Sequence, residues 1–265
     1  MKLNRFGLHL GLVMLSALLS VPVPASADAF VDRFAATSPR QIHQCTQDGA
    51  WCIKTSKTQM TVMARSTNGT LVERARLPMT NDEERMTESK PWMSLIRSPQ
   101  GGNTGQVLVG IEERRSESYS GGGGSLTELH LYAVGSGRNA ASATPQLSIP
   151  LTSSFMVRAC FSPEDEKSRR GACHDEYTFA GELKVARSRR SGEVSLVLQG
   201  RAESYPGRRS RMDDSSQQPP LRKSDLVWAL DAECSFQRYI RWNTSTGTVS
   251  WSRPLPACED YLQLQ

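Results

Sequence analysis

Apolar and polar side chains alternate in short runs along most of the chain. Met60, Val62 and Ala64 mark one run, Val107, Val109 and Ile111 a second, and Leu129, Leu131 and Ala133 a third. A period of two places alternate residues on opposite faces of an extended backbone, so each run predicts a strand with one buried face. The punctuation between runs is rich in Gly, Asn, Ser and Pro, as in Ser66-Thr67-Asn68-Gly69, residues 99–103 and residues 243–247. Strands are predicted over 54–64, 70–77, 92–96, 106–114, 125–134, 226–232, 234–242 and 248–252, and in the run that follows Cys173 as far as Val185. Many short strands with regular turn signals indicate an all-β fold, an antiparallel sandwich or a barrel-like sheet.

Four stretches depart from this pattern. Phe30, Val31 and Phe34 sit at helical spacing after Asp28, which leaves a short docking helix or an unstructured start open for residues 28–44. Residues 79–91 are polar and charged and read as an exposed loop. The glycines between Ser120 and Ser125 read as a mobile hairpin tip. A phosphate-binding loop is rejected there, because no Gly-Lys-Ser/Thr follows and the flanks are strands. Residues 206–223, with four arginines, two aspartates and several prolines, read as a long flexible loop.

Residues 28–265 are taken as a single all-β domain. The stretch 135–150, rich in Gly, Ser, Ala and Pro, divides it into two candidate related halves, 45–134 and 151–265. Glu117-Ser118-Tyr119 returns as Glu203-Ser204-Tyr205, and Met63-Ala64-Arg65-Ser66 is echoed by Val185-Ala186-Arg187-Ser188. These echoes leave open both a duplication and chance likeness between hairpins.

The first 27 residues change the context. Lys2 and Arg5 precede an apolar core from Phe6 to Leu19, and Ala25-Ser26-Ala27 offers small residues for cleavage, the form of a secretory signal peptide. The apolar core is too short to span a bilayer comfortably, and no transmembrane segment is expected after signal removal. The formal net charge of +5 becomes about +3 once Lys2 and Arg5 leave, which is no strong polyanion-binding signature. The arginine clusters near 187–190 and 208–211 alternate with acids, so nucleic acid is not expected as a partner.

All six cysteines follow residue 27, their number is even, and there is no C-x-x-C. In an exported chain this reads as three disulfides. A type I′ turn at Asp48-Gly49 sets Thr46 opposite Trp51 and Cys45 opposite Cys52, within bridging distance. Cys258 follows the last predicted hairpin, from which it reaches back to Cys234, and nearness and elimination then join Cys160 to Cys173.

Reactive side chains gather at Cys173-His174-Asp175-Glu176-Tyr177. Candidates for acid–base or metal chemistry are His174, Asp175 and Glu176. In an extended chain His174 and Glu176 share one face and Asp175 and Tyr177 the other. The plainer reading pairs the acids with Arg169, Arg170 or Arg187 and packs Tyr177. Only His43 and His130 supplement His174 beyond residue 27, and the sequence carries no zinc-protease, EF-hand or familiar serine-nucleophile motif. No cofactor or metal is expected on these motifs.

The signal form, the arginine bias (25 of 32 basic residues), Cys173-His-Asp-Glu-Tyr177 and Trp242-Asn-Thr-Ser-Thr-Gly247 carry a resemblance. The chain resembles uncharacterised exported proteins of sphingomonad-type Gram-negative bacteria over most of its length beyond residue 27. That resemblance implies a periplasmic home and transfers no activity. Two functional readings follow. One is a non-catalytic periplasmic binding or envelope-interaction protein, whose partner is an anionic envelope component or another periplasmic protein. The other is a hydrolase acting on an envelope polymer, with its site near His174.

Overall fold

Period-two alternation folds as antiparallel sheet throughout. The computed structural model describes residues 30–35, 43–98, 105–135, 144–186, 192–207, 209–214 and 218–264. Residues 1–29, with the expected signal peptide, residues 99–103, 187–190 and most of 135–143 lie outside the described residues. A four-stranded sheet holds β2 (Gln44–Cys45), β3 (Trp51–Thr55), β4 (Gln59–Arg65) and β5 (Leu71–Pro78) in chain order. A 12-stranded sheet takes the rest. Its edge begins with β1 (Phe30–Arg33) and two short strands, β6 (Asn81–Asp82) and β7 (Thr87–Pro91), beside β8 (Ser94–Arg97). Then comes a meander of long strands: β9 (Val107–Tyr119), β10 (Gly122–Val134), β11 (Leu147–Arg158), β12 (His174–Ala186) and β13 (Glu193–Tyr205). The short β14 (Ala229–Asp231), then β15 (Gln237–Asn243) and β16 (Val249–Trp251), complete it. Among the described residues helix is limited to α1 (Pro163–Ser168), α2 (Glu259–Leu262) and a 3-10 turn at Lys223–Asp225.

Two cores follow from where the apolar faces point. The small sheet lays Trp51, Ile53, Met60, Val62 and Leu77 against Val107, Val109, Ile111, Tyr132 and Val134 of β9 and β10. The opposite faces of the same strands supply Leu108, Leu129 and Leu131 to the second core, with Leu196, Leu198, Ile240 and Trp242. That second core forms because the large sheet folds over itself. β11 and β12 pair only from Thr152↔Ala180 to Arg158↔His174. Beyond that the β9–β11 layer faces β12–β16, and a Cβ placed on Gly247 would lie within 4 Å of Gln106 and Ala133. The layers meet as a sandwich, and the curl stops short of a closed barrel. The sheet also runs from β10 straight into β11, so β8–β10 of the half 45–134 share the 12-stranded sheet with the half 151–265, and β8–β10 contribute to the second core.

A register shift between Thr127 and Glu128 is central to the curl. Leu126 and Leu129 are three residues apart and would face opposite ways on a flat strand. Both nonetheless belong to the second core, and between their partners Ser153 and Ile149 the strand β11 carries Leu151 as the unpaired extra residue of a bulge.

Four local expectations are corrected. Residues 30–33 form a strand, not a docking helix: they pair with β8 in register Phe30↔Arg97 to Arg33↔Ser94, and Phe34 is buried. Residues 79–91 are not a loop but contain the β6–β7 hairpin. It lies on β9 and is held by backbone pairing and by cross-strand charges such as Lys90–Glu112 at 3.0 Å. The turn at 47–49 is a Gln47-Asp48 turn closed by the Gly49 N–H donating to the Thr46 carbonyl. Among the four turn residues only Gly49 has positive φ (66°), while Asp48 Oδ1 accepts from the Ala50 N–H, so type I′ geometry is not needed. Thr46 still opposes Trp51 and Cys45 still opposes Cys52.

The glycine run is the fourth. Only Ser120 and Gly121 form the turn, and Gly122, Gly123 and Gly124 are ordered strand residues paired on both sides. Their task is close approach. A Cβ at Gly122 would collide with the Met156 carbonyl oxygen, and one at Gly123 would lie 2.6 Å from the Glu117 oxygen. Gly123→Ala is expected to destabilise the fold by about 1–3 kcal/mol through this overpacking, measured as a lowered urea midpoint at unchanged slope.

One guanidinium links the two sheets. Arg97 on β8 bridges Asp32 of β1 and Asp48 at the β2–β3 turn, the latter at 2.8 Å, and its side chain is largely buried. Burial alone would raise the Asp48 carboxyl, but hydrogen bonds from Arg97, Thr46 and the Ala50 N–H outweigh it and carry the pKa down to about 2. A depressed carboxylate contributes stability above its ordinary value of 3.8, and that stability is lost as pH falls through about 2. Asp48→Asn should therefore cost about 1 kcal/mol at pH 7, discounted because the carboxylate is half exposed, and the cost should vanish near pH 2 in acid titrations.

Candidate functional site

The disulfide Cys160–Cys173 closes the α1 loop and delivers residues 174–177 to the start of β12. Cys45–Cys52 and Cys234–Cys258 are also joined, so all three expected pairs are present. Ser162 caps α1 by accepting from the Asp165 N–H, while Asp165 accepts from the Ser162 N–H, which seats the loop.

Alternation then splits the candidate residues. His174 is exposed and Glu176 half-buried on the outer face of the sheet, whereas Asp175 and Tyr177 point inward and are buried. The inward pair belongs to a structural network. Asp175 forms a buried ion pair with Arg169, whose Nε donates to the Ala172 carbonyl at 2.9 Å. Burial pushes the Asp175 carboxyl up, against the pull of Arg169 and Arg209, and burial also drives the Tyr177 phenol far up. Tyr177 packs edge-on against Tyr261 at 6.0 Å. So the pairing expected for the acids holds for Asp175 with Arg169, and the structure does not bring His174, Asp175 and Glu176 together. His130 hydrogen-bonds Ser148 at 2.8 Å and pairs beside β11 ten residues from the Arg158 that faces His174, which is roughly 30 Å away at strand rise. Among the described residues no group of three His, Cys, Asp or Glu side chains is placed to hold a metal.

The described parts of residues 206–223 are docked, contrary to the flexible-loop expectation. Arg211 is buried, stacks 4.2 Å over the Phe155 ring and donates to the carbonyls of Glu259, Asp260 and Gln263. Leu221 is buried, with its N–H on Ser168 and its carbonyl accepting from Arg170. Gly207 donates to Asp225 at 2.8 Å, which brings the following segment over the end of β13. There Trp228 stacks on Tyr205 at 5.8 Å while remaining 48% exposed, beside Leu230 at 52%.

These aromatics border a distinctive surface. Register across the meander aligns Ser116, Ser125, Ser154 and Thr178 in one row, leading to Glu203 and Leu230. A neighbouring row runs Ser118, Gly123, Met156, Glu176 and Tyr205, and a third runs Arg114, Thr127, Thr152, Ala180 and Arg201. All lie on the outer face, and Ser118, Thr152, Ser154 and Ala180 are exposed. At its far border the face descends into an open cleft of about 600 Å³, lined by Lys57, Asp82, Glu83, Met86, Glu88, Arg114 and Ser116. Sequence reasoning missed this face. Its signal was Ser or Thr at every second position, in 116–118, 125–127 and 152–154, on the polar side of each period.

Compared with known families, curated proteins and solved structures, the chain matches none. No helix among the described residues is long and apolar enough to cross a membrane.

Proposed function

We propose that the protein is a non-catalytic binding module of the bacterial envelope, exported to the periplasm. The observation that carries this reading is the outer face of the meander, with Trp228 half exposed at its border. Half-exposed aromatics beside an uncovered surface are the usual anchors of recognition, since they bury large area at low entropy cost. Three disulfides fit an oxidising compartment, and the signal-like first 27 residues point the same way. The hydrolase alternative draws less support. His174 and Glu176 share the outer face, but Asp175 is committed to Arg169 on the other side.

The test is cosedimentation of the oxidised protein with isolated Gram-negative envelope fragments. Retention that falls about tenfold in Trp228→Ala, with thermal stability unchanged, is the expected result. Absent retention, or retention indifferent to Trp228, overturns the reading.

A further inference from the structure

The ligand class can be argued from the chemistry of the outer face, and the argument rests on the binding-module reading. The row Ser116–Ser125–Ser154–Thr178, with Thr127 and Thr152 beside it, spans β9 to β12 with short side chains. Four strand intervals from β9 to β13 make a floor roughly 19 Å across. Taller groups wall it. Arg114 and Glu88, opposed across β9 and β7, stand on one side, and Tyr205, Trp228 and Leu230 on the other.

Hydroxyls both donate and accept and turn to suit a partner, which matches the mixed donors and acceptors of sugar hydroxyls. A half-exposed indole offers an apolar plate of the kind that meets the C–H face of a pyranose ring. The charges balance: Arg114, Arg158 and Arg201 lie among Glu88, Glu176 and Glu203, and Arg201 is paired with Glu203 at 2.5 Å. A polyanion would meet as much repulsion as attraction here, and an apolar partner would strand the hydroxyl rows. We infer that this face binds an uncharged or weakly charged glycan chain, laid across the strands from the Arg114 cleft to the Trp228 border.

Affinity electrophoresis through gels containing dextran, mannan, xylan or a soluble β-glucan tests this, with heparin gels as the polyanion arm. Retardation is expected in at least one neutral glycan and should persist at about 0.5 M salt. Ser154→Arg, which raises a tall charge from the floor at an exposed position, should weaken it about tenfold, as should Trp228→Ala. Thr152→Arg, also exposed, serves if Ser154→Arg fails to fold. Retardation only in heparin, abolished by salt, overturns the inference, as does neutral-glycan retardation indifferent to both variants. No retardation in any gel, with Trp228-dependent envelope cosedimentation retained, overturns the glycan assignment and leaves the binding-module reading standing. Loss of both sinks the two together.

Discussion

Asp175→Ala should lower the free energy of unfolding by about 3–5 kcal/mol, measured by urea denaturation of the oxidised protein. The side chains of Arg169 and Asp175 are each only 6% exposed. Removing the carboxylate strands a guanidinium that keeps its hydrogen bond to the Ala172 carbonyl but has lost its counter-charge. An uncompensated buried charge is costlier than the pair was worth, because desolvation of Arg169 persists while its counter-charge is gone. The double variant Arg169→Met with Asp175→Leu should therefore recover most of the loss. A catalytic role for Asp175 would give the opposite ordering: activity lost in both variants, stability little changed in the first. A single-variant cost below about 1 kcal/mol would mean that Arg169 finds another partner or water, and the network would lose its structural standing.

Some of this architecture was legible in the chain because its cause is local. Val107, Val109 and Ile111 alternate because one face of β9 meets the small sheet, and burial of a single face is what period two reports. Cys45 and Cys52 were paired by a turn between them, and a turn is local chemistry. The split of His174 from Asp175 follows from alternation alone. Other features have no local cause. β7 is held by main-chain pairing and by Lys90 and Glu112 across the ladder, so its sequence looks like any charged loop. Gly122 to Gly124 read as a flexible tip because the carbonyls and ring that crowd them arrive from β9 and β11. The hydroxyl face depends on the register of strands up to dozens of residues apart, which no single window of sequence contains. Arg211 likewise reads as one of several loop arginines until the chain end folds beneath it.

Replacing Cys234 and Cys258 together by alanine should cost about 3 kcal/mol, the second large effect. The bridge spans 24 residues, the longest loop of the three, and chain-entropy stabilisation grows with loop length. Loss of Cys45–Cys52, with a separation of 7, should cost less. What Cys258 tethers is the cover of the second core: Tyr261 is buried, its carbonyl accepts from Ser153, and Arg211 donates to three carbonyls around it. Hydrogen exchange should accordingly quicken at Tyr261 and Leu262, whose N–H groups bond the Cys258 carbonyl, and leave β4 protected. Binding should respond differently. Trp228 is placed by β14, which pairs with β13 from Ala202↔Asp231 to Ser204↔Ala229 without help from the bridge. Envelope retention at room temperature should therefore survive the loss of Cys234–Cys258 and fail only when the whole fold melts, at a lower temperature than in the bridged protein. Retention lost well below that melting point would mean that the bridge holds the recognition face itself, and that β14 follows the C-terminus rather than β13.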